Sequence, residues 1–357
     1  MLINKYDKKT EVYSVLDFKG NISNKSYIPS LSKEEIRKAL YLMKLSRKLD
    51  EKMLQMQRQG RMLTFPPNMG EEALQVATGF GMDKNDYLVP AFRSGAIFLT
   101  LGVPIWQMML LWNGNEMGNQ MPEGINVIPV NIPIGTQYSH AMGIGMALKY
   151  NQKNNVAVSF IGDGGTAEGE FYEAMNFAAV RNTQTVFCIN NNQWAISTPT
   201  HKESKNTDLA IKAIAAGIPY IKVDGNDLFA SYDAFCEAKE YALKNGPILI
   251  EFLTYRQGPH TTSDNPKIYR TEAQEKEGML LCPIFRLQKW MLDNNIVTQF
   301  DINKIEAKID EDILAAIKIM EPKLSVSIDE VFDYTYKVLD KDLLEQKEEC
   351  KKIFGEK

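Results

Sequence analysis

Residues 156–194 read VAVSFIGDGGTAEGEFYEAMNFAAVRNTQTVFCINNNQW, and this stretch decides the fold class. It begins with the apolar run 156–161 and closes near a second run, 185–190, and both are rich in β-branched or aromatic residues. The segment between the two runs has helical patterning, so the order is strand, helix, strand. Two strands joined by a helical crossover pair in parallel, which predicts an α/β fold.

Two further apolar runs extend the predicted sheet. They are YIKV at 220–223 and PILIEFLTY at 247–255, with helical patterns between them. Continuous apolar strands indicate a mostly parallel sheet that helices cover on both faces. Ligands of such sheets bind at the carboxyl ends of the strands, so chemistry is expected in the loops after Ile161, Asn190 and Tyr255.

The chain has 357 residues and divides into three predicted regions. Residues 1–30 are polar and predict an N-terminal arm, 31–320 form the α/β domain that binds the ligand, and 321–357 form a charged helical tail. Helical segments therefore flank the sheet on both sides in the sequence.

Two helices are predicted from their patterns. Ser32 and Glu35 have capping-box spacing, and the apolar residues that follow recur every three or four positions, so one long amphipathic helix should end near Gly60. The most apolar stretch, 101–112, is shorter than the roughly 20 residues that span a membrane and predicts a buried helix.

Charge and cysteine content narrow the possible partners. The 41 basic and 45 acidic residues give a net charge of −4, which provides no electrostatic footprint for nucleic acid or an anionic membrane. The four cysteines form no CxxC pair, which argues against a zinc cluster or a disulfide framework. The N-terminus lacks the apolar run of a signal peptide, so a cytoplasmic location is expected.

The loop GDGG at 162–165 follows the first strand and precedes a helix. Glycines let a backbone approach a phosphate closely, a helix N-terminus offers free amides, and the carboxylate of Asp163 is a hard oxygen ligand. These features indicate a cradle for a metal-bound diphosphate. A tight turn in which Asp163 only caps the helix is the alternative.

The loop NNNQW at 190–194 follows the next strand and adds neutral oxygen ligands. Asn192 comes 29 residues after Asp163, and both should lie at the same edge of adjacent strands. One carboxylate and one amide oxygen leave room for phosphate oxygens and water, the sparse protein coordination that Mg²⁺ prefers. Runs of Asn are also common in turns, so this loop alone decides nothing.

GDG followed by NN at this spacing resembles the thiamine diphosphate motif, and NNNQWAISTPT at 190–200 resembles that of the 2-oxo acid dehydrogenases. Further blocks are similar to the alpha subunits of the decarboxylating component of pyruvate dehydrogenase complexes, of mollicute and Gram-positive type. They include RQGRMLTFPPNMGEEALQVA, LVPAFRSGA, IPIGTQ and YRQGPHTTSDNPKIYR. The resemblance covers nearly the whole chain and implies a thiamine diphosphate-binding fold.

The resemblance also implies roles for individual residues. Asp163, Asn192 and the main-chain carbonyl of Trp194 would bind Mg²⁺, and His260 would be the catalytic histidine beside the diphosphate, with Arg256 as its neighbour. The residues implied to bind the cofactor are Phe92, Arg93, Ile134, Asp163, Gly164, Gly165, Asn192, Trp194, Arg256 and His260.

Three of these residues carry a specific expectation from the resemblance. Arg93 would pair with a phosphate oxygen, since a guanidinium is a fixed double donor. The family commonly has Tyr where this chain has Phe92, so one phosphate hydrogen bond is lost or is replaced by water. Ile134 matches the residue whose backbone holds the aminopyrimidine ring, although a core aliphatic residue before a turn would look the same.

The implied function is that of a half-enzyme that uses thiamine diphosphate and Mg²⁺ to decarboxylate pyruvate. It would work in an α₂β₂ heterotetramer whose beta subunit brings the activating glutamate, and it would reductively acetylate lipoyl groups of dihydrolipoamide acetyltransferase. Helix 135–150, with Gly143, Gly145 and Ala147 closely spaced, is expected to pack tightly against another subunit.

Alternative functions stay open at this point. An alpha subunit of a branched-chain 2-oxo acid dehydrogenase or an acetoin dehydrogenase would suit the same motifs, because part of the substrate pocket comes from the partner. A non-catalytic diphosphate-binding subunit is a further alternative. A P-loop nucleotide hydrolase is disfavoured, since the sequence contains no GxxxxGK[ST].

Overall fold

The computed structural model describes residues 2–5 and 11–355, which contain seven strands. They are β1 Tyr87–Val89, β2 Ala157–Gly162, β3 Thr185–Asn191, β4 Trp194–Ala195, β5 Thr198–Pro199, β6 Tyr220–Asp224 and β7 Ile248–Leu253. Five of them form one parallel sheet in the order β1-β2-β3-β7-β6, and β4 and β5 form a small antiparallel hairpin. The predicted α/β class is confirmed.

The four predicted strands of the sheet are confirmed as β2, β3, β6 and β7. Every residue of β3 is buried, because this strand has a neighbour on each side and helices over both faces. Successive side chains of β3 point to opposite faces: Val186 and Cys188 join one core cluster, and Phe187 and Ile189 join another. This double burial explains why the strand is a continuous apolar run.

Thirteen α-helices lie in the described residues. They are α1 Lys33–Arg58, α2 Glu72–Gly81, α3 Gly95–Leu101, α4 Ile105–Trp112, α5 Thr136–Tyr150, α6 Gly169–Arg181, α7 Thr200–Glu203, α8 Leu228–Asn245, α9 Glu272–Leu280, α10 Pro283–Asp293, α11 Gln299–Met320, α12 Ile328–Asp333 and α13 Lys341–Phe354. Helices α2 and α8 cover one face of the sheet, and α5 and α6 cover the other.

The long first helix is confirmed with its capping box. The Ser32 side chain accepts from the Glu35 amide, and the Glu35 carboxylate accepts from the Ser32 amide at 2.7 Å. These reciprocal bonds satisfy donors that a helix N-terminus otherwise leaves free. Helix α1 ends at Arg58, and Gln59 is its C-cap.

The predicted single helix over 101–112 is wrong, since the stretch contains the end of α3 and all of α4. Gly102 adopts a left-handed conformation with φ of 95° and ends α3, and Pro104 is the N-cap of α4. A left-handed glycine and a proline are ordinary signals for a helix end and a helix start. Met108, Met109 and Leu110 are nevertheless buried, as expected.

The glycine-rich loop continues as a short 3₁₀ helix, Gly164–Ala167, and α6 begins only at Gly169. The prediction of one helix directly after GDGG is therefore wrong, because a separate 3₁₀ turn precedes α6. Asp163 makes no side-chain capping hydrogen bond to it. The alternative in which Asp163 acts only as a cap therefore has no support. Its carboxylate is available to interact with other groups.

The N-terminal segment lies along the edge strand β6. Asn4 and Tyr220 exchange two backbone hydrogen bonds of 2.8 Å, and the carboxylate of Asp227 accepts from the amides of Val15 and Leu16, each at 2.6 Å. At the other end of the chain, α12 packs against α13. The division of the chain at residues 30 and 320 stays a prediction.

Two predictions about single residue types have clear outcomes. All four cysteines are free thiols, as their spacing indicated. Gly145, expected at a subunit contact, instead packs within the chain, because a Cβ there would lie 2.2 Å from Thr185 Oγ1. A Cβ on Gly143 meets nothing within 4 Å.

No helix in the described ranges is long and apolar enough to span a membrane.

Candidate active site

One cavity of about 350 Å³ opens at the carboxyl ends of β2 and β3. The register pairs Gly162 with Asn190, so the glycine loop and the asparagine loop leave the sheet side by side. Nine of the ten predicted site residues line this cavity: Phe92, Arg93, Ile134, Asp163, Gly164, Gly165, Asn192, Trp194 and His260. The tenth, Arg256, is fully buried behind the asparagine loop and does not line the cavity.

Gly164 and Gly165 have no room for a side chain. A Cβ on Gly164 would lie 2.6 Å from Ala195 Cβ, and a Cβ on Gly165 would lie 2.4 Å from Ile161 Cγ1 and 2.9 Å from Ile134 Cγ2. Close approach of the backbone therefore requires glycine at both positions. The same contact places Ile134 against the glycine loop, at the wall of the cavity.

Asp163 is a buried carboxylate at the cavity wall, with 3% of its surface exposed. It accepts a hydrogen bond of 2.9 Å from Thr200 Oγ1. Burial raises the pKa of Asp163, and this effect exceeds the opposing effects of the Thr200 hydrogen bond and of Arg256 and Arg93. A buried anion whose pKa is raised is under-stabilised, and a cation bound at this carboxylate would stabilise it.

Asn192 is held in one orientation by a residue that the sequence motifs did not reveal. Its Nδ2 donates to Glu71 Oε1 at 2.7 Å, and its Oδ1 accepts from the Trp194 amide at 3.2 Å. An ionised carboxylate only accepts, so Glu71 in its ionised form fixes which side of the amide carries the NH₂ group. In this orientation, the second lone pair of Asn192 Oδ1 stays available to a ligand.

Glu71, which precedes α2, is completely buried beneath the asparagine loop. It also accepts from Asn190 Nδ2, and Arg93 Nε lies 3.7 Å away. Burial raises the pKa of Glu71 to about 7, although Arg93 and both amides favour the ionised form. The signal in the sequence was the acidic pair of GEEALQVA, because two adjacent carboxylates at the start of an apolar helix need buried partners.

Arg256 holds the main-chain carbonyl of Trp194, which is the third predicted metal ligand. Its guanidinium donates to the carbonyl of Trp194 at 2.9 Å, to the carbonyl of Ile196 at 2.6 Å and to Tyr269 Oη at 2.8 Å. These bonds hold the loop in which Ile196 has a positive φ of 56°. A carbonyl oxygen has two lone pairs, so Trp194 keeps one after accepting from Arg256.

Arg93 and His260 form one hydrogen-bonded unit. Arg93 Nη2 lies 3.1 Å from His260 Nδ1 and donates to the His260 carbonyl at 2.9 Å, and Nη1 donates to the Pro67 carbonyl. A guanidinium only donates, so Nδ1 accepts and the proton of the neutral imidazole sits on Nε2. Much of the donor capacity of Arg93 is therefore already used within the chain.

We expect His260 to remain neutral throughout the range in which histidines ordinarily titrate. Burial, followed by the charges of Arg93 and Arg256, lowers the pKa of His260 to about 4. The imidazole gains a proton only as the pH falls toward 4, so above pH 5 its charge is constant. In a pH series of kcat/KM between 5 and 8, His260→Gln should lower activity by ~100-fold without changing the shape of the profile.

An inflection near pH 6.5 that is present in the unmodified enzyme and missing in His260→Gln would contradict this expectation. His201 is exposed and does not line the cavity, so His201→Gln is the matched control. Its activity and its profile should equal those of the unmodified enzyme.

Phe92 lines the cavity with its ring nearly perpendicular to that of His260. The ring centroids are 6.0 Å apart at 83°, and the Arg93 guanidinium carbon lies 5.7 Å from the Phe92 centroid. If Phe92 has the cofactor contact that the resemblance implies, Phe92→Tyr should tighten binding of thiamine diphosphate by ~0.5 to 1.5 kcal/mol, the net value of one hydrogen bond. Isothermal titration calorimetry with saturating Mg²⁺ measures this difference.

A marked loss of affinity in Phe92→Tyr would mean that the hydroxyl does not reach the diphosphate. Phe92→Leu serves as the control, because it removes the ring without adding a donor. It should not bind more tightly than the unmodified chain.

The chain is similar to known proteins over nearly its whole length. A family profile described as dehydrogenase E1 component matches residues 41–328. The chain is 53% identical over 346 residues to the pyruvate dehydrogenase E1 component subunit alpha of Mycoplasma genitalium, which covers 97% of each chain. The subunit of the same name from Acholeplasma laidlawii is 44% identical over 339 residues, covering 94% of this chain and 98% of that protein. The one from Staphylococcus aureus is 37% identical over 349 residues, covering 97% and 94%. The chain therefore belongs to the family of dehydrogenase E1 components.

Proposed function

We propose that this chain is the alpha subunit of a pyruvate dehydrogenase and binds thiamine diphosphate through Mg²⁺. Dehydrogenase E1 components depend on thiamine diphosphate. The observation that carries the proposal is the convergence of Asp163, Asn192 and the Trp194 loop with two obligatory glycines at one cavity. The names of the relatives supply the substrate, pyruvate.

The donor set at the cavity fits Mg²⁺. It consists of one carboxylate, one amide oxygen and one main-chain carbonyl, all hard oxygen ligands of the type that this ion takes. Three protein ligands leave the other positions of an octahedron for phosphate oxygens and water. The buried Asp163 and the fixed amide of Asn192 support the assignment.

The glycine loop fits a diphosphate. Gly164 and Gly165 bring main-chain atoms to the cavity wall without side chains, as close approach of phosphate oxygens requires. Arg93 would supply positive charge there, after giving up one of its hydrogen bonds within the chain. Ile134, which packs on Gly165, would hold the ring of the cofactor near the cavity mouth.

Thiamine diphosphate, when bound, supplies a carbon nucleophile and an electron sink for decarboxylation of a 2-oxo acid. The residues of this chain would anchor and orient it. His260 would present Nε2–H as a hydrogen-bond donor to an anionic oxygen. Burial, together with the charge of Arg93, would keep the imidazole neutral, and the hydrogen bond from Arg93 would keep it in that tautomer. Arg256 would act indirectly by holding the Trp194 carbonyl.

A partner chain is part of the proposal. The outer sides of α5 and α6 expose large apolar side chains, including Met146 at 40%, Tyr150 at 86% and Val180 at 74%. An exposed apolar surface of this kind is typical of a subunit interface. We propose the pyruvate dehydrogenase beta subunit as its partner in an α₂β₂ heterotetramer, with lipoyl groups of dihydrolipoamide acetyltransferase as the acceptors, in the cytoplasm.

Turnover of three substrates tests the proposed function. The assembled alpha and beta chains are assayed with pyruvate, 3-methyl-2-oxobutanoate and acetoin, with an artificial electron acceptor. We expect the highest kcat/KM with pyruvate. Preference for either other substrate would support the corresponding dehydrogenase, and absence of turnover with saturating cofactor would support a non-catalytic binding subunit.

A further inference from the structure

Glu203 lines the same cavity, and the binding arrangement proposed above makes no use of its carboxylate. It ends α7 three residues after Thr200, so both side chains lie on one side of that helical turn. Thr200 is bonded to Asp163, which brings Glu203 close to the glycine loop. A Cβ built on Gly164 would lie 3.1 Å from Glu203 Oε1 and 3.4 Å from Oε2.

The charge of Glu203 is poorly compensated within the described part of the chain. Its Oε2 is buried without a hydrogen-bond partner. The nearby ammonium of Lys212 donates instead to Thr166, at 2.8 Å to Oγ1 and 3.0 Å to the carbonyl. Burial raises the pKa of Glu203. The negative charge of Asp163 also raises it, because the two carboxylates repel each other.

Glu203 is not one of the three ligands of the donor set proposed above. Glu203 therefore acts on ligands of the cavity through its electrostatic field. Charges a few ångströms apart interact significantly in a partly buried site, so this field acts on any charged ligand beside the glycine loop.

The field has opposite effects on the two proposed ligands. A diphosphate that enters alone meets the negative charges of Asp163 and Glu203, while Glu71 offsets part of the charge of Arg93. A divalent cation that enters first is attracted by both carboxylates and reverses the sign of the local charge. We propose that Glu203 is a positioning residue that makes binding of the diphosphate strictly dependent on the cation.

This inference rests on the proposed function, because it concerns how the same cavity is filled. Its test is the ratio of thiamine diphosphate affinities with saturating Mg²⁺ and with none, measured by calorimetry on the assembled alpha and beta chains. Glu203→Gln keeps the shape of the side chain and removes its charge. We expect tighter binding without Mg²⁺ and a ratio lower by about tenfold, a typical coupling between two ligands.

Two further variants isolate the cause. Glu203→Ala should give the same decrease, because the effect comes from the charge and not from a hydrogen bond. Glu173→Gln removes a charge from an exposed residue of α6 outside the cavity, and its ratio should match that of the unmodified assembly.

An unchanged or increased ratio in Glu203→Gln would overturn this inference while leaving the proposed function intact. Absence of thiamine diphosphate binding by the unmodified assembly at every Mg²⁺ concentration would overturn both. The two failures are therefore distinguishable in a single experiment.

Discussion

Asp163→Ala is expected to abolish Mg²⁺-dependent binding of thiamine diphosphate, with affinity falling by more than about 100-fold. Loss of residues that only support a metal ligand typically lowers metal affinity by ~10 to 100-fold, so loss of the one charged ligand should have a larger effect. Without this carboxylate, the negative charge of the diphosphate would be opposed mainly by Arg93. Calorimetry on the assembled alpha and beta chains, with and without Mg²⁺, measures the loss.

A folding control is needed because Asp163 is buried and bonded to Thr200. Asp310→Ala is the control variant, since the Asp310 side chain is 59% exposed and does not line the cavity. Both variants should retain the helical circular dichroism of the unmodified chain. Cofactor binding that is unchanged in a folded Asp163→Ala would show that the glycine loop does not hold the metal.

The purified chain without a partner is expected to show no 2-oxo acid decarboxylase activity. The described residues contain one parallel sheet, and we assign the cavity at the carboxyl ends of its strands to the diphosphate half of a cofactor site. The carboxylate that activates the pyrimidine would come from the beta subunit. Reduction of an artificial acceptor with pyruvate should therefore require both chains.

The alpha chain, the beta chain and their mixture are compared at equal concentration in this assay. The isolated alpha chain should also self-associate in analytical ultracentrifugation, because α5 and α6 expose apolar side chains. Turnover by the alpha chain alone at the rate of the mixture would contradict the half-site arrangement.

The sheet was largely predictable because its central strands are buried on both faces. A strand such as β3 can tolerate few polar residues, so its apolar run stands out in the sequence. Strand β1, Tyr87–Val89, has only three residues, too short for a pattern to be recognised. The break between α3 and α4 was signalled by Gly102 and Pro104, but the apolar composition on both sides outweighed those signals.

The residues that line the cavity were predictable only where a motif carries them. Asp163 and Asn192 lie in loops that follow recognisable strands, and nine of the ten implied residues surround one cavity. Glu71 was signalled only as one of an adjacent acidic pair, and Glu203 gave no signal, because the partners of both are brought near only by the fold. Arg256 was expected to bind the cofactor, but it does not line the cavity, and the resemblance does not reveal that its guanidinium donates to the Trp194 carbonyl.

The candidate site lies at the ends of the central strands, and this position predicts at which stage of unfolding the site is lost. Backbone amides of β3 are paired on both sides and covered by helices, so their hydrogen exchange should require unfolding of the whole domain. The asparagine loop, 190–194, begins where this strand ends. The proposed metal ligands should therefore persist until the domain itself unfolds, and thermal inactivation should coincide with cooperative melting.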